Sequence, residues 1–305
     1  MVIKDLIKRI RVIPFLLLNN SEGSKQLQID YNLSKCIKYY RKHKKQAEKY
    51  KKELAFLDIN TPSFMQCRSF EEYVKDIPHD LLDCIEWDDY YNRYYCKVSD
   101  YKLFFPRTFS KHTCILYYSI YLFEQSKDSP HRYIDESFHV KPNDVLFDVG
   151  AAEGLFTLHH IDTISEAYVF ECDDQWIEAL RLTFSGMDKI HIVPKYVDTY
   201  TSDTTVKLDD YIHEINGRGI FIKMDIEGAE EKALTGMKRL IKEVNDIRCA
   251  ICSYHKRNDS IHLTTYLEGM NYRYSDGYML CLEGYQKPPY FRHGIIRANK
   301  EDIIK

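Results

Sequence analysis

The sequence predicts an α/β fold whose core is a Rossmann-like, mostly parallel sheet. Three observations support this prediction: short apolar runs alternate with helical segments from residue 145 onward, a glycine turn follows the first run, and acidic residues stand at the ends of later runs. Strands that alternate with helices are typical of a parallel sheet covered on both faces, with right-handed crossovers. Ligands bind such sheets at the carboxyl ends of the strands, where the glycine turn and these acids lie.

Composition limits the classes of protein to which the chain can belong. Its 305 residues are 44% hydrophobic, which suffices for a sizeable core. The formal net charge of -3 argues against a general nucleic-acid binder, whose surface is strongly basic. No segment approaches the ~18 to 20 apolar residues of a membrane-spanning helix. The N-terminal apolar run at residues 12–18 is short and contains Pro14, so secretion is not expected.

The nine cysteines are scattered singly along the chain. Only Cys249 and Cys252 have CxxC spacing, and they lie in a predicted strand, where residues three apart point to opposite faces. We therefore expect ordinary buried thiols rather than a zinc or redox pair. Free cysteines at this density favour a reducing cytoplasm.

Residues 1–92 are predicted to form an N-terminal helical region, and residues 93–305 an α/β domain. Within the first region, residues 2–13 place apolar side chains at helical spacing, with basic residues largely on the other side. Such a helix either packs against the rest of the protein or lies on an anionic membrane surface. In the second case the protein would be peripheral to the inner face of the membrane.

A longer helix is predicted over residues 24–57, where apolar residues form one stripe. Between Lys35 and Lys52 this segment carries nine lysines or arginines and one acid, Glu48. Its basic face is either solvated or contacts an acidic partner or a membrane.

The remaining elements follow in chain order. Residues 58–92 favour a mainly helical connection, Tyr94–Phe105 a hairpin that turns at Ser99 and Asp100, and Leu116–Glu124 a helix. The core strands are predicted at 145–149, 167–170, 191–197, 220–224 and 248–253, and the helices between them at 155–164, 174–186, 208–215 and 229–244. Aromatic residues and short runs over Tyr272–Arg297 predict an antiparallel hairpin that closes the sheet edge.

The glycine turn has the spacing Asp148-x-Gly150-x-x-x-Gly154. Gly150 allows a sharp turn of the backbone, and we expect Gly154 to let a ligand approach without a Cβ in the way. Dinucleotide enzymes instead use Gly-x-Gly-x-x-Gly, in which three glycines seat a pyrophosphate on a helix N-terminus. The spacing therefore favours a nucleoside ligand without a diphosphate.

Four segments together resemble the FkbM type of S-adenosylmethionine (SAM)-dependent methyltransferase: Asp148–Gly154, Phe170–Glu171, Val206–Asp210 and Lys223–Glu230. The resemblance covers residues 93–305 and not the first ninety. It implies a class I methyltransferase sheet, SAM as the cofactor, and methylation of oxygens on sugars and related natural products. A strand pair like that predicted at Tyr94–Phe105 commonly precedes the catalytic core in this family.

Under this resemblance the cofactor-binding residues are Asp148, Gly150, Ala151, Glu153, Gly154, Glu171 and Asp198. Glu171 ends a predicted strand about twenty residues after the glycine turn, where an acid accepts hydrogen bonds from ribose hydroxyls in Rossmann-like sheets. Asp148 and Glu153 flank the turn near the methionine end of SAM, and Asp198 is placed on the adenine side. Glu171 could also be a solvated loop acid, and Asp148 could orient the loop backbone.

The predicted catalytic residues are Lys223, Asp225 and His255. Lys223, Asp225 and Glu227 alternate, so they share one side if the extended conformation persists. His255 follows the fifth strand and is expected beside them. It could act as a general base, or Asp225, Glu227 and His255 could bind a divalent cation such as Mg²⁺ that acidifies the acceptor hydroxyl. A structural salt-bridge cluster is the alternative for these charges.

The leading hypothesis is a SAM-dependent O-methyltransferase that acts on a hydroxyl of a sugar or glycan. A nucleotide-dependent oxidoreductase on a related sheet is a second hypothesis, against which the missing middle glycine argues. The third is a non-catalytic adaptor whose N-terminal helices bind a glycosyltransferase or a membrane. The sequence does not predict an oligomeric state.

Overall fold

The computed structural model describes residues 22–76, 84–282 and 287–300. Within these ranges the helices are α1 (Glu22–Lys42), α2 (Lys44–Ala47), α3 (Lys51–Leu57), α4 (Phe70–Asp76), α5 (Lys111–Glu124), α6 (Leu155–His159), α7 (Asp174–Thr183), α8 (Ile212–Ile215), α9 (Glu230–Thr235), α10 (Lys238–Glu243) and α11 (Asp259–His262). The strands are β1 (Ile85–Asp88), β2 (Arg93–Val98), β3 (Tyr101–Phe104), β4 (Val145–Val149), β5 (Glu166–Phe170), β6 (Ile190–Val193), β7 (Tyr196–Val197), β8 (Thr205–Val206), β9 (Ile220–Met224), β10 (Ile247–Cys252), β11 (Asn271–Tyr274), β12 (Met279–Leu280), β13 (Phe291–Arg292) and β14 (Ile295–Lys300). The helix predicted over residues 2–13 lies outside the described residues.

The central sheet has seven strands in the order β11-β14-β10-β9-β4-β5-β6. The strands β10, β9, β4, β5 and β6 are parallel, and β14 runs antiparallel to both β10 and β11. This confirms the predicted Rossmann-like, mostly parallel sheet with antiparallel strands at one edge. The antiparallel edge differs from the predicted simple hairpin in its strand order, because β14 is inserted between β10 and β11.

Every residue of β4, β9 and β10 is buried, as expected for strands covered on both faces. Alternate residues enter two separate cores: Leu146 and Phe221 belong to one, and Phe147 and Ile222 to the other. Cys249 and Cys252 are buried free thiols on β10, as predicted.

A second sheet, β1-β2-β3, is antiparallel and turns between β2 and β3 at Ser99, whose φ is 51°. The predicted hairpin is therefore present, and β1 adds a strand that was expected to be helical. Because β1 pairs with β2, the predicted division between residues 92 and 93 falls inside one sheet. This sheet packs against α7, where the Thr183 hydroxyl accepts a hydrogen bond from the Phe104 N–H at 2.9 Å.

The predicted long helix over residues 24–57 is interrupted near His43 and again by a 3₁₀ turn that ends at Tyr50. The interruptions let Tyr40 and Tyr50 both pack on Phe291, with ring centroids 5.3 and 4.9 Å from its ring. Leu280 and Leu282 belong to the same apolar cluster. The N-terminal helices are thereby joined to the segment around β12 and β13.

The basic residues of the N-terminal helices are exposed: Lys35, Lys38, Arg41, Lys42, Lys44, Lys45, Lys49, Lys51 and Lys52. The predicted contact of this surface with an acidic partner or a membrane stays a prediction. Among the described residues, no helix has the length and apolar character needed to cross a bilayer.

Candidate active site

A cavity of about 550 Å³ opens at the carboxyl ends of β4, β9 and β10. Gly150 to Glu153 after β4, Lys223 and Asp225 at the end of β9, and His255 after β10 form part of its wall. The rest of the wall comes from segments outside the parallel strands, and includes Phe64, Met65, Tyr121, Glu124, Tyr133 and Leu282. Small-molecule sites in proteins have volumes of roughly 300–1,000 Å³, so the cavity can hold a ligand.

Gly150 lies directly against the end of β9. Its φ is 78°, and a Cβ at this position would lie 1.9 Å from the carbonyl oxygen of Asp225. The Asp225 N–H donates to the Val149 carbonyl at 3.0 Å, which fixes this close approach. A glycine is therefore required both by the backbone conformation and by the packing of the turn on β9.

The structure corrects the expected role of Gly154. Its φ is 75°, and a Cβ there would lie 2.6 Å from Leu180 and 2.9 Å from Phe184. Gly154 therefore allows the turn to pack on α7 and its C-terminal cap rather than allowing a ligand to approach.

Asp148 and Lys223 form a buried ion pair beneath the turn. The Lys223 Nζ lies 3.1 Å from Asp148 Oδ1 and also donates to the Gly150 carbonyl, while the Thr157 hydroxyl donates to Asp148 Oδ2 at 2.8 Å. Burial alone would lower the pKa of Lys223, but the charges of Asp148 and Asp225 raise it above its usual value. Lys223 therefore remains protonated, so it fixes the turn and carries charge but does not accept a proton.

Asp225 is the centre of the charged cluster. Its Oδ2 accepts a hydrogen bond from the Tyr133 hydroxyl at 2.8 Å and lies 3.5 Å from His131 Nε2, and its Oδ1 lies 3.4 Å from His255 Nε2. Burial would raise the pKa of Asp225, but contact with His131 and the charges of His255 and Lys223 hold it far below its usual range. Asp225 is therefore ionised although its side chain is mostly buried.

His255 is oriented from behind by Glu230. The Glu230 Oε1 lies 2.9 Å from His255 Nδ1 and also accepts from the backbone N–H of Ile226 and Gly228. Arg292 supports the same loop by donating to the carbonyl of His255 at 3.1 Å. Burial would lower the pKa of His255, but the hydrogen bond to Glu230 and the charges of Asp225, Glu230 and Glu227 raise it to about 9.

Asp225 and His255 face each other with one polar atom each, 3.4 Å apart. Asp225 Oδ1 and His255 Nε2 are buried, and neither makes a hydrogen bond. Since Nδ1 of His255 is held by a carboxylate, its Nε2 is presented toward Asp225, an arrangement also found where a histidine binds a metal or acts as a base.

The predicted cation-binding trio is rearranged. Glu227 has a φ of 53° and a side chain that is 89% exposed, so the extended conformation does not persist beyond Asp225. Among the described residues, potential ligand atoms lie within 4.8 Å of one another in two groups that share Asp225: one with Glu230 and His255, the other with His131 and Cys252. Glu227 Oε2 lies 3.6 Å from His255 Nε2, at the edge of the first group. Glu230 Oε1 is already engaged by two backbone N–H groups and His255 Nδ1, and cation binding by these residues stays a prediction.

Glu171 stands at the end of β5, as predicted, and connects two loops. Its carboxylate accepts hydrogen bonds from the backbone N–H of Ala152 at 2.8 Å, Cys172 at 2.7 Å and Asp173 at 2.9 Å. Glu171 does not line the cavity. Its contact with ribose stays a prediction, for which the carboxylate keeps one further lone-pair position.

Asp198 also lies outside the cavity wall. Its carboxylate binds Lys232 Nζ at 2.8 Å and accepts from the Thr199 N–H at 2.7 Å. The predicted adenine contact of Asp198 is not tested by these interactions.

Asp209 belongs to the Val206–Asp210 segment that resembles the family. Its carboxylate accepts a hydrogen bond from the Leu240 N–H and so stabilises the start of α10.

Several residues of the cavity were not predicted from the sequence. Glu124 and Tyr133 line the cavity and come from α5 and the loop that precedes β4, and the buried His131 of the same loop supports them, with its Nδ1 3.8 Å from Glu124 Oε2. Burial raises the pKa of Glu124 and raises that of Glu153 to about 7. In the sequence, the one feature that could have marked this loop is its position immediately before the first core strand.

The sequence profile of the methyltransferase FkbM domain matches residues 101–274, which is more than half of the chain. The chain belongs to the FkbM methyltransferase family. This confirms the predicted family, and the sheet order is that of a class I SAM-dependent methyltransferase domain.

Several solved structures resemble this FkbM domain. Methyltransferase FkbM from Methylobacillus flagellatus KT is 18% identical with a TM-score of 0.41, and the match covers 75% of this chain and 60% of that one. N-methyltransferase NodS from Bradyrhizobium japonicum WM9 is 11% identical with a TM-score of 0.34, covering 53% and 88%. Aeropyrum pernix fibrillarin, with natively bound SAM, is 15% identical with a TM-score of 0.36, covering 58% and 71%. No curated protein matches the sequence significantly.

The FkbM domain has a cavity whose chemistry suits SAM, a sulfonium cation. The carboxylates of Glu153 and Asp225 and the aromatic faces of Tyr133 and Phe156 border it. Carboxylates and aromatic rings attract cations. Gly150 and Ala151 form part of the same cavity wall.

Replacement of Gly150 by alanine tests whether the turn must pack on β9. Gly186 is a matched control, because its φ is also 78° but nothing lies within 4 Å of an added Cβ. We expect Gly186→Ala to lower the free energy of unfolding by about 1 kcal/mol, and Gly150→Ala to lower it several-fold more and to abolish SAM binding. Urea denaturation and calorimetry measure both. Equal losses of stability in the two variants would contradict this packing role.

Glu230 should set the protonation of His255. In Glu230→Gln the pKa of His255 is expected to fall from about 9 toward its ordinary value, as measured by NMR titration of the imidazole ring. Because the folded-state pKa is raised, protonated His255 stabilises the fold fully below about pH 6.5, and this contribution is lost as the pH rises through about 9. Glu231→Gln, on the neighbouring residue whose side chain is 41% exposed and contacts His262 instead, is the control. If the pKa of His255 is unchanged in Glu230→Gln, Glu230 does not set the protonation of His255.

Proposed function

We propose that this protein transfers the methyl group of SAM to a hydroxyl oxygen of a sugar or glycan-type acceptor. The observation that carries the proposal is the buried pair of Asp225 and His255 at the wall of a cavity bordered by the Gly150 turn. An aliphatic hydroxyl needs a group that removes its proton, and this pair supplies a carboxylate and an imidazole. The sugar class itself comes from what FkbM-type methyltransferases largely modify.

When bound, SAM supplies an electrophilic methyl group on a sulfonium, which an acceptor oxygen displaces in line. The residues of the chain must therefore align the hydroxyl and exclude competing water. Tyr133 and His131 hold Asp225 from one side, and Glu230 holds His255 from the other. The pair is thus fixed by packing and hydrogen bonds rather than by flexible surface contacts.

The state of protonation constrains how the pair can act. With a pKa of about 9, His255 is mostly protonated near neutral pH, and ionised Asp225 compensates its charge. If the imidazole is the base, the rate should rise with pH toward about 9, because the neutral form becomes more abundant. Asp225 alone is a weak base, since its pKa is far below its usual range.

A divalent cation is the second candidate for the same atoms. Asp225 Oδ1 and His255 Nε2 would hold it, and it would lower the pKa of the acceptor hydroxyl. The imidazole nitrogen suits Mn²⁺, Fe²⁺ or Zn²⁺ better than Mg²⁺, which prefers oxygen ligands. Both atoms are buried without a hydrogen bond, although they lie 3.4 Å apart as an ion pair, so a cation would have to displace the proton of His255.

Asp225→Asn and His255→Ala should each lower turnover by roughly 10²- to 10⁴-fold while SAM binding is largely kept. Turnover is measured as S-adenosylhomocysteine released from labelled SAM with a panel of glycosides, and SAM affinity by calorimetry. Asp203→Asn, on the exposed surface, is the control. Wild-type rates in both active-site variants would remove the pair from the mechanism.

Chelation separates the two roles of the pair. If His255 is a base, EDTA should leave the wild-type rate unchanged, and the rate should increase up to about pH 9. If a cation is required, EDTA should abolish turnover and added Mn²⁺ should restore it. SAM binding without turnover of any acceptor would instead favour the non-catalytic adaptor.

A further inference from the structure

The part of the cavity wall that lies outside the family-matching residues 101–274 is mainly apolar. Phe64 and Met65 come from the segment after the N-terminal helices, and Leu280 and Leu282 come from the segment after β11. Ile120 of α5 adds a further apolar side chain. We refer to these five residues as the apolar wall. The charged residues Asp225 and His255 line the same cavity.

The segment that carries Phe64 and Met65 is held in an unusual backbone conformation. Their φ angles are 47° and 59°, so two consecutive residues with side chains occupy the left-handed region. Such a residue is strained and persists only where the surroundings enforce its conformation. Such conformations cluster at ligand-binding sites, and here they place two apolar side chains at the cavity.

Specific contacts hold this conformation. Gln66 is fully buried, and its side-chain oxygen accepts hydrogen bonds from Ser129 at 3.1 Å and Arg68 at 3.2 Å. Gln66 also forms a β-bridge with Met279, and the Met65 carbonyl accepts from the Leu280 N–H. The segment that carries Phe64 and Met65 is therefore joined by backbone hydrogen bonds to the segment that carries Leu280 and Leu282.

Apart from the Cys281 thiol and Arg292, which donates to the carbonyls of Tyr254 and His255, the polar side chains at the cavity belong to the other part of its wall. Glu124, Tyr133, Asp225 and His255 could receive a hydroxyl, whereas the apolar wall offers no side-chain donor or acceptor beyond the thioether of Met65. A free sugar would leave ring hydroxyls without hydrogen bonds against this wall, which is unfavourable. An alkyl or aryl group would fit it.

Building on the proposed function, we propose that the acceptor is an amphiphile. The hydroxyl that is methylated lies at Asp225 and His255, and an alkyl or aryl group joined to the same molecule packs on the apolar wall. A glycoside with an apolar aglycone has this chemistry, and a free sugar does not. The apolar wall, of which all but Ile120 lies outside the match to the family, thus selects the acceptor.

The experiment compares two probes, n-octyl β-D-glucoside below its micelle concentration and methyl β-D-glucoside, by calorimetry on the full chain with S-adenosylhomocysteine present. Each buried methylene strengthens binding by about fourfold, so burial of two of them makes the octyl glucoside more than tenfold tighter. Met65→Gln should reduce this preference at least threefold, whereas Met65→Leu and Ile59→Gln should preserve it. Ile59 is a suitable control because it is 84% exposed in the same region.

Equal binding of the two glucosides, failure of the octyl glucoside to bind, or a preference unchanged by Met65→Gln would overturn the proposal. SAM affinity, measured in every variant, shows that the fold is intact. Release of S-adenosylhomocysteine from SAM is recorded separately with both glucosides. Tighter binding of the octyl glucoside without methyl transfer would contradict the proposed function but not the amphiphilic acceptor. Equal methyl transfer to both glucosides would contradict the amphiphilic acceptor but not the proposed function.

Discussion

An ionised carboxylate buried at the end of β9 is the constraint on which the rest of the site depends. Asp225 stays charged because Tyr133 donates a hydrogen bond to it and because His131 and His255 lie within 3.5 Å. A buried charge without such partners would be strongly destabilising. Three separate parts of the chain, namely the loop before β4, the end of β9 and the loop after β10, are therefore held in one relative position, and that position defines the polar end of the cavity.

The same requirement explains the arrangement of neighbouring groups. Lys223 of β9 contacts both Asp148 of β4 and the Gly150 carbonyl. It therefore connects the end of β9 to the glycine turn that follows β4. Glu230 begins α9 and also binds His255, which gives one carboxylate a role in both the helix start and the site. Residues outside the parallel sheet complete the cavity with both polar groups, such as Glu124 and Tyr133, and the apolar wall. The strand ends thus supply Lys223 and Asp225, and the added segments supply the surface that faces them.

The sheet could be predicted because its signals are local. The apolar run at residues 145–149 is β4, and Gly150, Asp225 and His255 follow predicted strand ends. The pairing of Glu230 with His255 could not be predicted, since it depends on how two loops meet across 25 residues. The extended conformation predicted through Glu227 does not occur, because its positive φ turns the chain after Asp225, although Glu227 Oε2 still lies 3.6 Å from His255 Nε2. Glu124 ends a predicted helix, but neither it nor Tyr133 has a local feature that marks it as a cavity residue, and only the tertiary fold brings them to the cavity.

The central claim is that SAM binds with its reactive end beside Asp225 and His255. The most direct measurement is the NMR spectrum of the histidine rings during a titration with SAM, with the His255 signals assigned from His255→Ala and exposed His213 as the internal reference. The account predicts that SAM shifts the His255 ring signals in a saturable manner and leaves those of His213 unchanged. Saturable binding of SAM that leaves the His255 signals where they are would contradict it.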